Sequence, residues 1–351
     1  MVSGGNAVKR GEKNKYLWRD QQGMALLITV LTVSLLVAVT LQYHKATWQQ
    51  FVASNNYKVG NQLAAIADSG VNIALAILQY DGKENQFDSL LDSWATIDKE
   101  QLEGLFSAGS LRLKVVDLSG RLQINSLVPK NGEKSGAGDG NNPANATHSI
   151  LLRLLLSGDF GVEDETEARS IIDALIDWID EDDQESDLGA ESGFYQLLDK
   201  PYSCGNGPVR SIEELLLIKG ITPELLFGTE GKQGLADYLT VNGNDGKVNL
   251  NTAPLLVIKS MDSLISDDLL VKLAEYRKEQ ENDERLANTT WYKEVDGWPG
   301  DIVLDENILT IKSSYFQIIS TGEFDNLFRR VVAFVERSGE NEVKLLGKKT
   351  E

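Results

Sequence analysis

From Met24 to Leu41, eighteen consecutive positions carry no charge, unlike the mixed polar and apolar pattern on either side. At about 1.5 Å per residue a helix of that length spans about 27 Å, just enough for the hydrocarbon core of a bilayer. Helical spacing continues beyond it. No proline occurs from Lys45 to Tyr80, and Val59, Leu63, Ile66, Gly70, Ile73 and Ile77 recur every three or four residues as one apolar stripe. One long helix is predicted over 24–80, its first part (24–41) in the membrane and its later part on a sheet, with a kink near 54–58. Strict alternation then marks 111–117 and 121–127, joined by Leu118-Ser119-Gly120, as a β-hairpin. Residues 129–145 are rich in Gly and Asn, and a linker over 129–147 is expected.

From 148 to 301 the spacing is helical again. Ser211 with Glu214, and Thr252 ahead of Pro254, read as helix starts. Beyond Asp301 the β-branched and aromatic runs 308–313, 315–324 and 327–336 predict strands. The predicted fold is α+β: a long N-terminal helix on an antiparallel sheet. The sheet is drawn from 81–128 and 302–338, a large all-helical domain (148–301) is inserted between its strands, and 339–351 is left as a C-terminal tail.

Charge refines this. Residues 1–23 carry five basic and two acidic side chains, +3, so the remainder holds −22 of the net −19. By the positive-inside rule the basic end stays cytoplasmic and everything past Leu41 faces outward. A strongly acidic body repels phosphate and argues against nucleic acid. The single cysteine, Cys204, excludes an intrachain disulfide and has no assigned role. The two histidines, His44 and His148, lack the setting of a general base, which excludes most histidine-dependent hydrolysis. The apolar run itself admits three readings: a secretory signal, an uncleaved anchor, or a segment cut at its front edge between Gly23 and Met24.

Residues 177–191 hold eight carboxylates and no Lys or Arg, at the negative end of a helix that carries Asp173, Asp177 and Asp180. Close carboxylate pairs near a surface repel by roughly 1 kcal/mol or more, which a hard dication would relieve. A solvated acidic loop is the other reading. The spacing is not that of an EF-hand. Asn242, Asn244 and Asp245 are a weaker cation candidate, or a plain turn.

The basic leader, Gly23, and a long helix that begins in the membrane resemble type IV pilins and type II secretion pseudopilins. That resemblance implies cleavage by a prepilin peptidase between Gly23 and Met24, methylation of the new amine, and an inner-membrane anchor with a periplasmic bulk. Most members carry glutamate five residues after the cut glycine; here the position is Ile28. An apolar residue there, with Asp177-Trp178, Gly189-Ala190-Glu191, Tyr195, Pro201-Tyr202, Asn206 and Ser211 to Leu215, is similar to the minor pseudopilin K family of the general secretion pathway. The resemblance implies a pilin-like body and a tip subunit that assembles with minor pseudopilins of the I and J types. It also implies structural calcium in the helical domain, with Asp180, Asp182, Asp183, Asp187 and Glu191 as ligands and no catalytic residue.

Two rivals remain. Residues 247–280 resemble helix-hairpin-helix DNA-binding modules, which would make this a membrane-anchored periplasmic DNA-binding protein. The hairpin 261–268, however, lacks glycines and carries Asp262, Asp267 and Asp268. Paired carboxylates could also serve a glycosidase, but no sugar groove is legible.

Overall fold

The computed structural model describes residues 17–129, 142–339 and 342–351. The expected leader residues 1–16 and most of the expected linker, 130–141, lie outside the described residues. Helix α1 runs unbroken from Leu17 to Glu84, passing through 54–58 without interruption. The chain divides into two units, residues 1–62 and 63–351.

In the first unit every side chain from Met24 to Leu41 is exposed. Among the described residues this is the one helix long and apolar enough to cross a membrane. Its threonine hydroxyls are satisfied internally: Thr29, Thr32 and Thr40 donate to the carbonyls of Leu26, Thr29 and Leu36 at 2.7–2.9 Å. A helix that satisfies its own polar groups and exposes apolar side chains suits lipid.

In the second unit four strands form an antiparallel sheet in the order β1-β6-β7-β8: β1 Ser110–Asp117, β6 Tyr315–Phe324, β7 Leu327–Ser338 and β8 Glu342–Thr350. The end of α1 packs on it through Leu63, Ile66, Ala67, Val71, Ala74 and Leu78, all buried. This seam is rotated from the predicted one: Ile73 and Ile77 are only half-buried. Small residues define it. A Cβ on Gly70 would lie 2.2 Å from Ser320 Oγ and 2.7 Å from Leu111 Cδ1, so only glycine lets helix and sheet approach this closely.

Two predicted elements are corrected. Residues 121–127 are not the return strand of a hairpin; β1 pairs instead with β6, Ser110 opposite Glu323 and Asp117 opposite Phe316. Leu122–Gln123 (β2) joins Leu239–Thr240 (β3) in parallel, and Ile124–Leu127 is a 3-10 turn with every residue buried. Burial on both sides gives this segment to the inserted module's core, which alternation alone does not reveal. The expected tail 339–351 instead supplies strand β8, whose Lys344, Lys348 and Lys349 are the charges expected of an exposed sheet edge.

The inserted module has its own apolar core, with Ile150, Leu154, Ile172, Leu175, Trp178, Leu215, Leu226, Val257, Leu273 and Trp291 at its centre. Its helices are α3 Pro143–Leu155, α4 Glu165–Ile179, α5 Ser192–Tyr195, α6 Pro223–Phe227, α7 Leu255–Met261 and α8 Asp267–Tyr276; a short α2, Lys99–Leu102, precedes β1. The module is not all-helical. It includes the β2–β3 pair and a second parallel pair, β4 Val248–Asn249 with β5 Leu309–Thr310. Much of the predicted helix around 212–217 and 280–287 is 3-10. Ser211 makes no side-chain cap, although Glu214 still reaches back to the Arg210 amide at 2.9 Å. Thr252 spends its hydroxyl on Asp117 rather than on α7.

Candidate functional site: an acidic loop built on helix α4

Helix α4 starts at Asp164, whose carboxylate accepts from the Glu167 amide, and ends at Asp180. Its last turns organise the loop that follows. Asp177 is fully buried and accepts from the amides of Ser186 (3.1 Å) and Ala190 (2.8 Å). Asp173 accepts from Leu188 N, and the Ser170 hydroxyl donates to Leu188 O. Burial pushes the Asp177 carboxyl up, against the pull of its hydrogen bonds from Ser186 and Ala190. Lys219 closes the loop from the other side: its ammonium donates to the carbonyls of Leu188 (3.1 Å) and Gly189 (2.7 Å) and lies 5.3 Å over the Phe194 ring.

Gly189 is required by this stitching. A Cβ there would lie 1.9 Å from Asp177 Oδ2. The glycine therefore serves close approach to a buried carboxylate, not turn geometry alone.

The loop gathers Asp180, Asp182 and Glu191, each offering one carboxylate oxygen within 4.8 Å of the others. Glu191 is buried, and neither of its oxygens has a hydrogen-bond partner. Burial pushes its carboxyl above the ordinary glutamate value, reinforced by the charges of Asp177 and Asp183. Asn206, held at φ 42°, adds a buried side-chain oxygen that is also without a partner, while its amide nitrogen contacts Asp182 O at 3.3 Å and Asp183 Oδ1 at 3.4 Å. Partnerless buried oxygens are costly, and an all-oxygen set with three carboxylates suits a hard cation such as calcium.

Two of the five expected ligands stand apart. Asp183 and Asp187 are exposed and lie outside this group, although Asp183 Oδ1 is within 3.4 Å of Asn206 Nδ2. Asn206 and the loop-fastening Asp177 and Lys219 were not among the expected ligands; the asparagine's polarity in a turn was the available signal. Cys204 is buried, its thiol pushed up to about 11 by burial, which keeps it protonated and inert. The second cation candidate is a turn: Asp245 Oδ1 accepts from Gln123 Nε2 at 2.8 Å and from the Lys247 amide at 3.1 Å.

The helix-hairpin-helix resemblance holds for shape, in α7 and α8. Where such a module would present hairpin amides to phosphate, Asp262 accepts from the Leu264 amide and Ser266 from the Leu269 amide. Lys259 is held by Asp267 at 2.5 Å.

Residues 120–228, from the end of β1 through the acidic loop, match the family described as type II secretion system (T2SS), protein K. The type II secretion system protein K of Aeromonas hydrophila is 28% identical over 342 residues, covering 93% of this chain and 96% of that protein. The chain is thus similar to protein K of type II secretion over nearly its whole length, and to the family itself over 120–228. The Pseudomonas aeruginosa member is 23% identical, covering 94% of this chain and 93% of its own. Among solved structures, the GspK-GspI-GspJ complex from enterotoxigenic Escherichia coli matches with a TM-score of 0.62 at 16% identity, over 85% of this chain and 99% of the matched chain. That likeness shows a shared fold.

Proposed function

We propose that this chain is a minor pseudopilin at the tip of the type II secretion pseudopilus, where it serves protein export across the outer membrane. The observation that carries this is the near full-length similarity to protein K, joined to a fold like that of the protein solved with GspI and GspJ. Its partners are minor pseudopilins of the I and J types. The exposed apolar stretch of α1 anchors it as a single span in the inner membrane, with the sheet and inserted module in the periplasm. A prepilin peptidase cuts between Gly23 and Met24 and methylates the new amine.

Ile28 supports the place at the tip. A subunit without a carboxylate at this depth cannot pair with the amine of a subunit already above it, but can offer its own amine below. An Ile28→Glu variant buries a carboxylate at a cost of about 2.5–3.5 kcal/mol unless it finds a partner. Co-purification of the full chain in detergent with I- and J-type partners is the test. The native chain is expected to retain both, and Ile28→Glu to lose tip complex and secretion. A native chain that binds neither overturns the function; an unaffected variant overturns the end-subunit argument.

Calcium is the cation proposed for Asp180, Asp182, Glu191 and Asn206. The ion would neutralise the loop and fix α4 to the 204–207 turn. A ligand at about a hundredfold over its Kd adds about 2.7 kcal/mol, so chelation should lower the inserted module's Tm by about 5–10 °C in calorimetry. An unchanged Tm with excess chelator would remove the metal from the proposal.

A further inference from the structure

A second acidic cluster lies where the inserted module meets the sheet. Asp81, Asp88, Asp92 and Asp117 are all buried there, together with one buried guanidinium, Arg337. Arg337 bonds Asp81 at 3.0 Å and also Asp88, and its guanidinium lies 4.9 Å over the Phe316 ring. Asp81, Asp88 and Asp92 bring oxygens within 4.8 Å of one another, but the guanidinium already stands where a dication would.

The same cluster fastens the module. Asp117, at the end of β1, accepts from the hydroxyls of Thr252 and Ser313, each at 2.5 Å, and from the Ser119 amide at 2.7 Å. Asp88 accepts from the Ser313 amide at 2.7 Å, while its backbone carbonyl receives the side-chain amides of Asn249 (3.2 Å) and Asn251 (3.0 Å). Asn249 also donates to Ser313 Oγ, and its backbone amide to Ser119 O at 2.8 Å. Trp291, in the module's core, donates to Asn251 Oδ1 at 2.7 Å. Asp92 holds the turn that carries Asp88, accepting from Ser89 N and Trp94 Nε1.

Four buried carboxyls cannot all be ionised without a large electrostatic cost when the buried guanidinium bonds only two of them, Asp81 and Asp88. We propose that this cluster is a proton-operated clasp: with Asp92 and Asp117 protonated it holds the inserted module on the sheet, and their ionisation loosens the module. The charged groups that face it are Asp81 and Asp88 beside Asp92, and Asp88 and Arg121 around Asp117, while Arg337 is bonded to Asp81 and Asp88.

Burial, reinforced by the neighbouring carboxylates, pushes Asp92 up to about 7 and Asp117 up to about 6, against the hydrogen bonds each accepts. Both values lie above those of an unfolded chain. The folded state therefore keeps protons the unfolded state releases, and the clasp is strongest below about pH 4 and weakens as pH rises through 6 and then 7.

Hydrogen exchange on the full chain in detergent tests this, read at the amides of Asn249 and Leu250 and corrected for the intrinsic rate. Protection is expected to fall by about tenfold or more between about pH 5 and about pH 8. Asp92→Asn and Asp117→Asn keep the neutral form at every pH and should flatten that fall. A wild-type protection that ignores pH, or variants that fall as steeply, would overturn the clasp. Infrared spectroscopy of the unmutated chain provides a readout independent of any variant's folding. A protonated-carboxyl band persisting to about pH 6 and gone by about pH 8 is expected, and its absence at pH 6 refutes the proposal.

Discussion

Exchanging Gly23 for valine is expected to leave the leader attached, so that all of the protein runs as the slower, unprocessed band and secretion falls to background. The helix itself does not object to the change. A Cβ on Gly23 meets nothing within 4 Å, and valine is a better helix former than glycine. A defect in this variant therefore belongs to the peptidase, which must accept the backbone at the cut, and not to folding. The uncut leader would also keep its cationic end on the cytoplasmic side and withhold the Met24 amine from the next subunit. Gel mobility and N-terminal sequencing of membrane-extracted protein decide the matter; normal processing of the variant would discard the pilin-type anchor.

The second large effect is expected from Gly189→Val. The new side chain would occupy the space of the Asp177 carboxylate, which lies 1.9 Å from the position of a Cβ. To make room, Asp177 must give up the amides of Ser186 and Ala190, and the Leu188 and Gly189 carbonyls must leave Lys219. Buried groups left without partners cost about 1–3 kcal/mol each, so the inserted module should lose about 3 kcal/mol or more. Because the same loop carries Asp182 and ends at Glu191, calcium should no longer raise the Tm of this variant. Calorimetry with and without calcium checks both statements, and a variant as stable and as calcium-responsive as the native chain would show that the loop is not built this way.

Much of the architecture was legible in residue patterns. The uncharged run 24–41, the period of α1, the alternation of 111–117 and the returning strands 315–336 are all local signals, and they place the insert between strands of one sheet. Strand β8 escaped because glycine and three lysines interrupt its apolar positions. Residues 122–127 were misread because a segment buried on both sides alternates by accident. At the acidic loop, charge density was visible, but which carboxylates converge was not. Asp180, Asp182 and Glu191 meet only because Asp177 and Lys219 fold the intervening residues back. Asn206 comes from a turn beyond α5; it was among the residues that carry the resemblance, but nothing local marked it as a ligand. The clasp was the least legible part, since Asp88, Asp117, Asn249, Ser313 and Arg337 lie far apart in sequence and each looks like an ordinary polar residue.

Asp117 and Phe316 stand directly opposite each other in the β1–β6 ladder. The chain thus departs from the sheet and comes home within about 5 Å of the same spot. To the host strands, that whole excursion is equivalent to one tight hairpin turn. A gene could lengthen, shorten or trade such a passenger without altering the register of a single strand, so the insert can diverge while the host strands stay as they are.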